Sequence, residues 1–492
     1  MSFEELFPIH FIAAEQWQAL IPLIVMSVSA VLALLASPWK PKGRLASFAV
    51  LTAGSVLALL SLSFSVPDAP VSVLGGVLVI DRLSQIFSAL TIAAGLAAAF
   101  MTLGFDQREK LLTEVYSLIA FAVVGMMILV STRDLMVLFI GLELMSLAVY
   151  VLVGMRRQSS DAAEAGLKYF LLGGVASAIL LYGVSLLYGS TGSVKFDVIG
   201  QGLSRLWQNG TPMLPVLGLV MVGIGFLFKI GAVPFHVWIP DVYTGASTPV
   251  TGFMISGVKA AAIGSLLRFS SDVFSLPGLL SVGGSFYWIL WTIIAVTLLF
   301  GALVGLRQTN LKRMLAYSTI THTGYVLLGF LALIIGQESA SDAIVSYTLF
   351  YVVMNLGGFA VLTLISPEHS DEPTLQDLAG LGQRRPCLAF ALSLFLLSMA
   401  GIPPTAGFFG KYYLFMSAVS AGELGLTILA VVGSVISAVF YLRPLVYMYM
   451  RPQGDDHGVE ARWVGSSAVV GLAAVLTLLM GFVPSWFSSL MK

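Results

Sequence analysis

Apolar residues fall in blocks of about twenty along the whole chain, each closed by a short polar break, and that length matches one helical crossing of a bilayer. LIPLIVMSVSAVLALLA (20–36) is representative, with no period-two alternation and no charge. A backbone in lipid must satisfy its own hydrogen bonds, so such blocks read as helices. The pattern predicts spans near 16–37, 43–64, 77–102, 112–130, 132–153, 163–188, 212–234 and 248–269. It continues through 286–306, 313–336, 343–365, 386–420, 424–449 and 464–486. The block at 386–420 exceeds one simple crossing and is interrupted by GIPPTAG (401–407), which reads as a break within one helix, a pair of short helices being the alternative. The expectation is an all-α polytopic membrane protein of about fourteen transmembrane helices.

Composition agrees. The 492-residue chain is 58% hydrophobic and 10% charged, against roughly a quarter charged in soluble domains. Its net charge is zero, with no basic tract suited to nucleic acid. One cysteine, Cys387, excludes an intramolecular disulfide and any multi-cysteine metal or iron–sulfur site. The acidic start MSFEELFPIH lacks the basic flank of a cleaved signal peptide, so the first block is expected to be retained. Lys40, Lys42, Arg44, Arg108, Lys110, Arg156, Arg157, Arg307, Lys312, Arg313, Arg384, Arg385, Arg443, Arg451 and Arg462 share alternate loops. The opposite loops and termini hold only Arg82, Arg133, Lys195, Arg205, Arg268 and Lys492. The positive-inside rule places the first set in the cytoplasm and both termini on the other side. The longest loops, near 189–211, 366–385 and 451–463, are too small to bury a core of their own.

Against that sparing use of charge, Lys168, Lys229, Lys259 and Lys411 stand inside apolar blocks, as does Glu143 in LFIGLELMSLAVY (138–150). Each costs several kcal/mol in lipid, on the order of 3 by the milder scales, so they should face the protein interior. Lys168, near the start of its span, has the alternative of snorkelling to the interface. Glu143 has the alternative of a purely structural partner. Burial lowers the proton affinity of any lysine and a nearby carboxylate restores it. Glu143 beside Lys229 would therefore form a gate that holds a proton when paired and releases it when parted. Gly231 and Pro234 interrupt the seventh span just beyond Lys229, and Pro403 and Pro404 interrupt the twelfth before Lys411. Broken helices free backbone carbonyls for water or charge and recur at ion sites of transporters built from repeats. GAVP (231–234) and GIPP (401–404) also suggest two five-helix units, spans 4–8 and 9–13. The expected organisation is 1–111, three leading helices; 112–270 and 271–450, the two units; and 451–492, a loop and final helix.

His322, in LAYSTITHTGYVLLG (315–329), sits in a hydroxyl-rich band and is either a proton relay or a tie between helices. His236 suits a structural role or one near the mouth of a path, and Asp241 suits a loop anchor. No phosphate loop, dinucleotide motif or metal constellation is present.

These residues carry a resemblance. LMVLFIGLELMSLAVYVLVG (135–154), the stretch from GLKYFLLGG (166–174), FKIGAVPFHVWIPDVYTGASTPVTG (228–252), LAYSTITHTGY (315–325) and LSMAGIPPTAGFFGKYYLF (397–415) resemble the antiporter-like membrane subunits of bacterial respiratory complex I, the proton-translocating NADH–quinone oxidoreductase. KYFLLG, the length and Lys411 resemble subunit N rather than L or M. The resemblance implies an inner-membrane subunit with two repeats related by inversion and broken TM7 and TM12. It implies a proton path through Glu143, Lys168, Lys229, Lys259, His322 and Lys411, with Lys168 pairing with or modulating Glu143. NAD, FMN, iron–sulfur clusters and quinone are implied for partner subunits and none for this chain. The implied neighbours are subunits M and K. GASTP (245–249) departs from the family's GAPTP without touching a charged position. A cation/proton antiporter subunit of a Mrp-type or hydrogenase-linked complex is the alternative reading.

Overall fold

A computed structural model describes residues 14–39, 42–64, 69–108, 113–208, 210, 213–273, 284–366, 371–452 and 463–483. Lys40, Lys110, Arg462 and Lys492 lie outside them. Helices α1 (Ala14–Ala36) and α2 (Gly43–Phe64) lead into a short hairpin, β1 (Val71–Val73) and β2 (Leu78–Ile80), and then α3 (Arg82–Arg108). Next come α4 (Val115–Ser131), α5 (Leu135–Val153), α6 (Ser160–Thr191), α7 (Phe196–Gln208) and α8 (Met213–Ile230). A short α9 (Ile239–Gly245) precedes α10 (Thr248–Phe253), which passes through a π-helical turn at Met254–Val258 into α11 (Lys259–Val273). The remainder comprises α12 (Ser285–Gly305), α13 (Leu311–Ile334), α14 (Ser339–Ile365), α15 (Leu381–Arg384), α16 (Pro386–Ala400), α17 (Ala406–Ser420), α18 (Leu424–Met450) and α19 (Val464–Phe482). Among the described residues twelve helical spans are long and apolar enough to cross a membrane, and α4 and α16 are shorter apolar helices.

Helix α4 packs along α5, α6 along α8, and α12 along α13, while α14 meets α17 and α19. The most enclosed spans are α10–α11, α13 and α14, so the hydroxyl-rich band of α13 lies inside the bundle and not against lipid.

Two departures from the expected segmentation have plain causes. The third span was expected from residue 77, but VSVLGGVLVI (71–80) folds into the antiparallel hairpin, with Val71 opposite Ile80 and Val73 opposite Leu78. Leu74, Gly75 and Gly76 turn it with positive φ, and α3 begins only after Asp81, whose carboxylate accepts the Ser84 N–H (2.9 Å). Within the loop expected at 189–211, α7 buries Phe196, Ile199 and Leu203 on one face, the spacing of an amphipathic helix.

Candidate functional site

Both interrupted helices end in the same way. α8 stops because Gly231 takes φ 80°, and α16 stops because Gly401 takes φ 85°, a left-handed conformation that favours glycine. In the first break Gly231 and Ala232 donate back to the Leu227 carbonyl (3.0 and 2.9 Å); in the second, Gly401 and Ile402 donate to the Leu397 carbonyl (both 3.1 Å). This is the glycine-terminated helix cap. The carbonyls left over are met by side chains. Thr323 Oγ1 donates to Ile230 O (2.7 Å) and Trp238 Nε1 to Phe228 O (3.1 Å) at the first break, and Lys411 Nζ donates to Ala400 O (2.9 Å) at the second. The negative end of a helix dipole favours a cation there, and Lys229 in the last turn of α8 and Lys411 beside the end of α16 are both so placed.

Four of the groups expected on the path are almost wholly enclosed: Lys229 (5% exposed), Lys259 (3%), His322 (1%) and Lys411 (5%). Glu143 is partly buried on α5. It accepts a short hydrogen bond from the Ser177 hydroxyl of α6. One turn on, Ser146 accepts from Lys229 Nζ at 2.8 Å. The acid and the amine therefore each hold a serine, and no ion pair within 4.0 Å joins them among the described residues. A cavity of about 10 Å³ lined by Ser177 and Lys229 lies between these partners, just enough for one water.

From Lys229 the polar groups continue along α13. Thr323 Oγ1, whose proton goes to Ile230 O, also lies 3.1 Å from Thr319 O, which receives Lys259 Nζ at 2.7 Å. Thr319 Oγ1 lies 3.0 Å from the Tyr351 hydroxyl. On the next turn His322 bonds Tyr347 through Nδ1 and Tyr441 through Nε2 (2.9 Å to the latter), and Tyr441 also meets Ser318. Lys411 Nζ donates to Ser434 Oγ at 2.9 Å. The space between Lys259 and His322, walled by Tyr347 and Tyr351, is too tight for a water, so transfer between them requires side chains to move.

Lys168 is placed elsewhere. Its side chain is 43% exposed and pairs with Glu164 (2.6 Å) and Asp241 (2.9 Å), not with Glu143. The reason is helical phase: Ser177, nine residues along α6, faces Glu143, whereas Lys168 turns toward α9. Asp241, which lies within α9, also holds Arg313 (3.2 Å). His236 is buried edge-on to the Phe300 ring.

Two buried ionic clusters hold cations that the charge pattern had counted as exposed loop residues. Asp371, fully enclosed, accepts from the Thr248 N–H (3.0 Å) and hydroxyl (2.6 Å), with Lys312 Nζ at 3.4 Å and Arg156 Nη1 at 3.7 Å. Toward the other end of the α10–α11 span, Arg268 grips Asp81 with two nitrogens (2.9 and 2.6 Å) and donates to Val130 O. The expected span 248–269 already contained Arg268, and the helix runs on to Val273. No group of His, Cys, Asp and Glu is arranged to hold a metal ion among the described residues.

The family described as NADH:quinone oxidoreductase/Mrp antiporter, TM matches residues 132–437. The chain is 40% identical over 477 residues to NADH-quinone oxidoreductase subunit N of Trichlorobacter lovleyi, covering 95% of this chain and 94% of that one. It is 41% identical over 415 residues to subunit N 1 of Sorangium cellulosum, covering 83% and 81%. A chain of respiratory complex I from Thermus thermophilus with bound aureothin superposes with a TM-score of 0.78 at 35% identity, covering 95% of this chain and 98% of that one. The Mrp complex from Dietzia contains a chain of the same fold, with a TM-score of 0.80 at 22% identity, covering 97% and 96%. The protein therefore belongs to the NADH:quinone oxidoreductase/Mrp antiporter membrane family, as an antiporter-like, ion-translocating subunit of the subunit N type.

Proposed function

We propose that protons cross this subunit along Glu143, Lys229, Lys259, His322 and Lys411, driven by redox chemistry in partner subunits. The observation that carries the reading is the placing of three enclosed amines and one histidine around α13, each bonded to hydroxyls or backbone carbonyls. Parting or joining Glu143 and Lys229 changes the lysine's hold on its proton, and the two serines supply alternative partners for the parted state. Moving one charge against ~100 mV requires about 2.3 kcal/mol, and a change of about two units in proton affinity supplies that. Lys168 serves at the cytoplasmic mouth, in a polar cavity of about 200 Å³ that it shares with Asp161, Glu164, Asp241 and Arg313.

In this reading the chain crosses the bacterial inner membrane about fourteen times, with both termini periplasmic. Its two five-helix units are related by inversion, which the matching glycine caps at Gly231 and Gly401 support. Subunits M and K are its neighbours. The test is Lys411→Met in the assembled complex, reconstituted in vesicles. Proton uptake coupled to NADH oxidation falls several-fold while the subunit remains assembled; unchanged uptake rejects Lys411 as part of the path. Sodium or potassium flux without NADH oxidation in the wild type would favour cation antiport instead.

A further inference from the structure

The path leaves one feature of its lysines unused: each lies against the face of a tyrosine. Lys229 Nζ is 5.7 Å from the Tyr150 ring centre and 5.5 Å from that of Tyr169; Lys259 Nζ is 5.1 Å from Tyr351, and Lys411 Nζ 5.1 Å from Tyr325. None of the three amines makes an ion pair within 4.0 Å among the described residues; their bonds go to hydroxyls and backbone carbonyls. An ammonium held so far from water without a counter-ion is costly, and the negative face of an aromatic ring offsets part of that cost.

The rings are fixed in place for this. Tyr169 stacks on Trp238 (4.5 Å, 13°) and lies perpendicular to the Tyr150 ring (4.7 Å, 86°). The Tyr169 hydroxyl has no hydrogen-bond partner among the described residues, so what this side chain offers its surroundings is the ring. Tyr351 is tied to Thr319, whose carbonyl receives Lys259, and Tyr325 packs edge-on to Phe415 at 5.6 Å.

We propose that Tyr150, Tyr169, Tyr351 and Tyr325 are positioning residues that replace counter-ions, so that each lysine carries a proton in transit without being locked in an ion pair. A carboxylate at 4 Å would hold the ammonium more strongly than a ring face by a factor of about two or more in energy. Among the described residues Glu143 is then the one carboxylate the relay lysines need, which suits it to act as a gate. The inference rests on the proposed path through Lys259 and Lys411.

The test uses the assembled complex in vesicles and compares Tyr351→Leu with Tyr351→Phe. Leucine removes the ring face and phenylalanine keeps it while losing the hydroxyl. Leucine should lower NADH-coupled proton uptake about tenfold, and phenylalanine should restore most of it. Uptake retained by leucine, or phenylalanine as defective as leucine, overturns the proposal; the second result would assign the effect to the hydroxyl. Lys259→Ala runs alongside. If that variant pumps like wild type, the path itself is wrong, whereas a defective Lys259→Ala with an intact Tyr351→Leu overturns the tyrosine role alone. Should Tyr351→Leu fail to assemble, Tyr325→Leu and Tyr325→Phe give the same reading at Lys411.

Discussion

Asp371→Ala should be among the most destabilising single substitutions in this chain. The side chain is fully enclosed, and removing it takes away the acceptor for Thr248 N–H (3.0 Å) and Thr248 Oγ1 (2.6 Å) at the start of α10. It also takes away the carboxylate 3.4 Å from Lys312 Nζ, an amine equally enclosed and otherwise bonded to the carbonyls of Ala246 and Asp371. Breaking a buried pair by removing one partner costs about 3–5 kcal/mol, because the remaining charge stays desolvated. Asp371 has φ 49°, which disfavours alanine by a further ~1–2 kcal/mol. Asp371→Asn tolerates that backbone and keeps a hydrogen-bond acceptor, so its loss should be smaller, about 1–3 kcal/mol. Denaturant unfolding of the purified complex in detergent, followed through this subunit, measures the difference. Lys312→Met closes a double-mutant cycle with Asp371→Asn, and the pair should show a coupling of at least ~1 kcal/mol. Wild-type stability in Asp371→Ala, or a coupling of zero, would refute the reasoning.

Three other substitutions test different parts of the structure. A Cβ at Gly407 would lie 1.8 Å from the Ser398 carbonyl, so Gly407→Ala should push α17 from α16, loosen the Lys411 bond to Ala400 and lower proton uptake several-fold. Asp81→Asn should destabilise the subunit at neutral pH: burial alone raises this carboxyl, but the Arg268 hydrogen bond and charge outweigh it and hold it below its ordinary 3.8. A depressed folded-state value contributes stability that is fully present above about pH 4 and lost as pH falls through the lower folded value, so in unfolding measurements the wild-type advantage should shrink only in strong acid. Ser177→Ala removes the hydroxyl that donates to Glu143; if Glu143 gates the path, the variant should slow coupled turnover, with Ser177→Thr restoring it.

The helical spans were legible because lipid allows one solution to the backbone hydrogen-bond problem, and a charge inside a long apolar block cannot hide. Lys229, Lys259 and Lys411 stood out on that ground and His322 by the hydroxyl-rich band around it, and all four are enclosed. Lys168 passed the same filter and yet stands half in the open, because depth along a helix and the face it presents are separate facts and hydropathy reports only the first. Arg156, Lys312 and Arg268 failed in the opposite sense. Lying near helix ends, they looked like loop cations, and only the fold brings Asp371 and Asp81 against them. The hairpin at 71–80 was hidden by its own hydrophobicity, since a short apolar run next to a span reads as part of that span. The serines flanking Glu143 and Lys229 carried no signal either, because a serine in a membrane helix more often bonds its own backbone.

In vesicles holding the assembled complex, protons taken up per NADH oxidised should be compared between wild type, Glu143→Ala and Lys229→Ala. If these two residues gate the path, both variants lose protons per electron pair or lose tightly coupled turnover altogether, with the subunit still in place. An unchanged ratio at full turnover in both would contradict the proposed path and leave this subunit a scaffold.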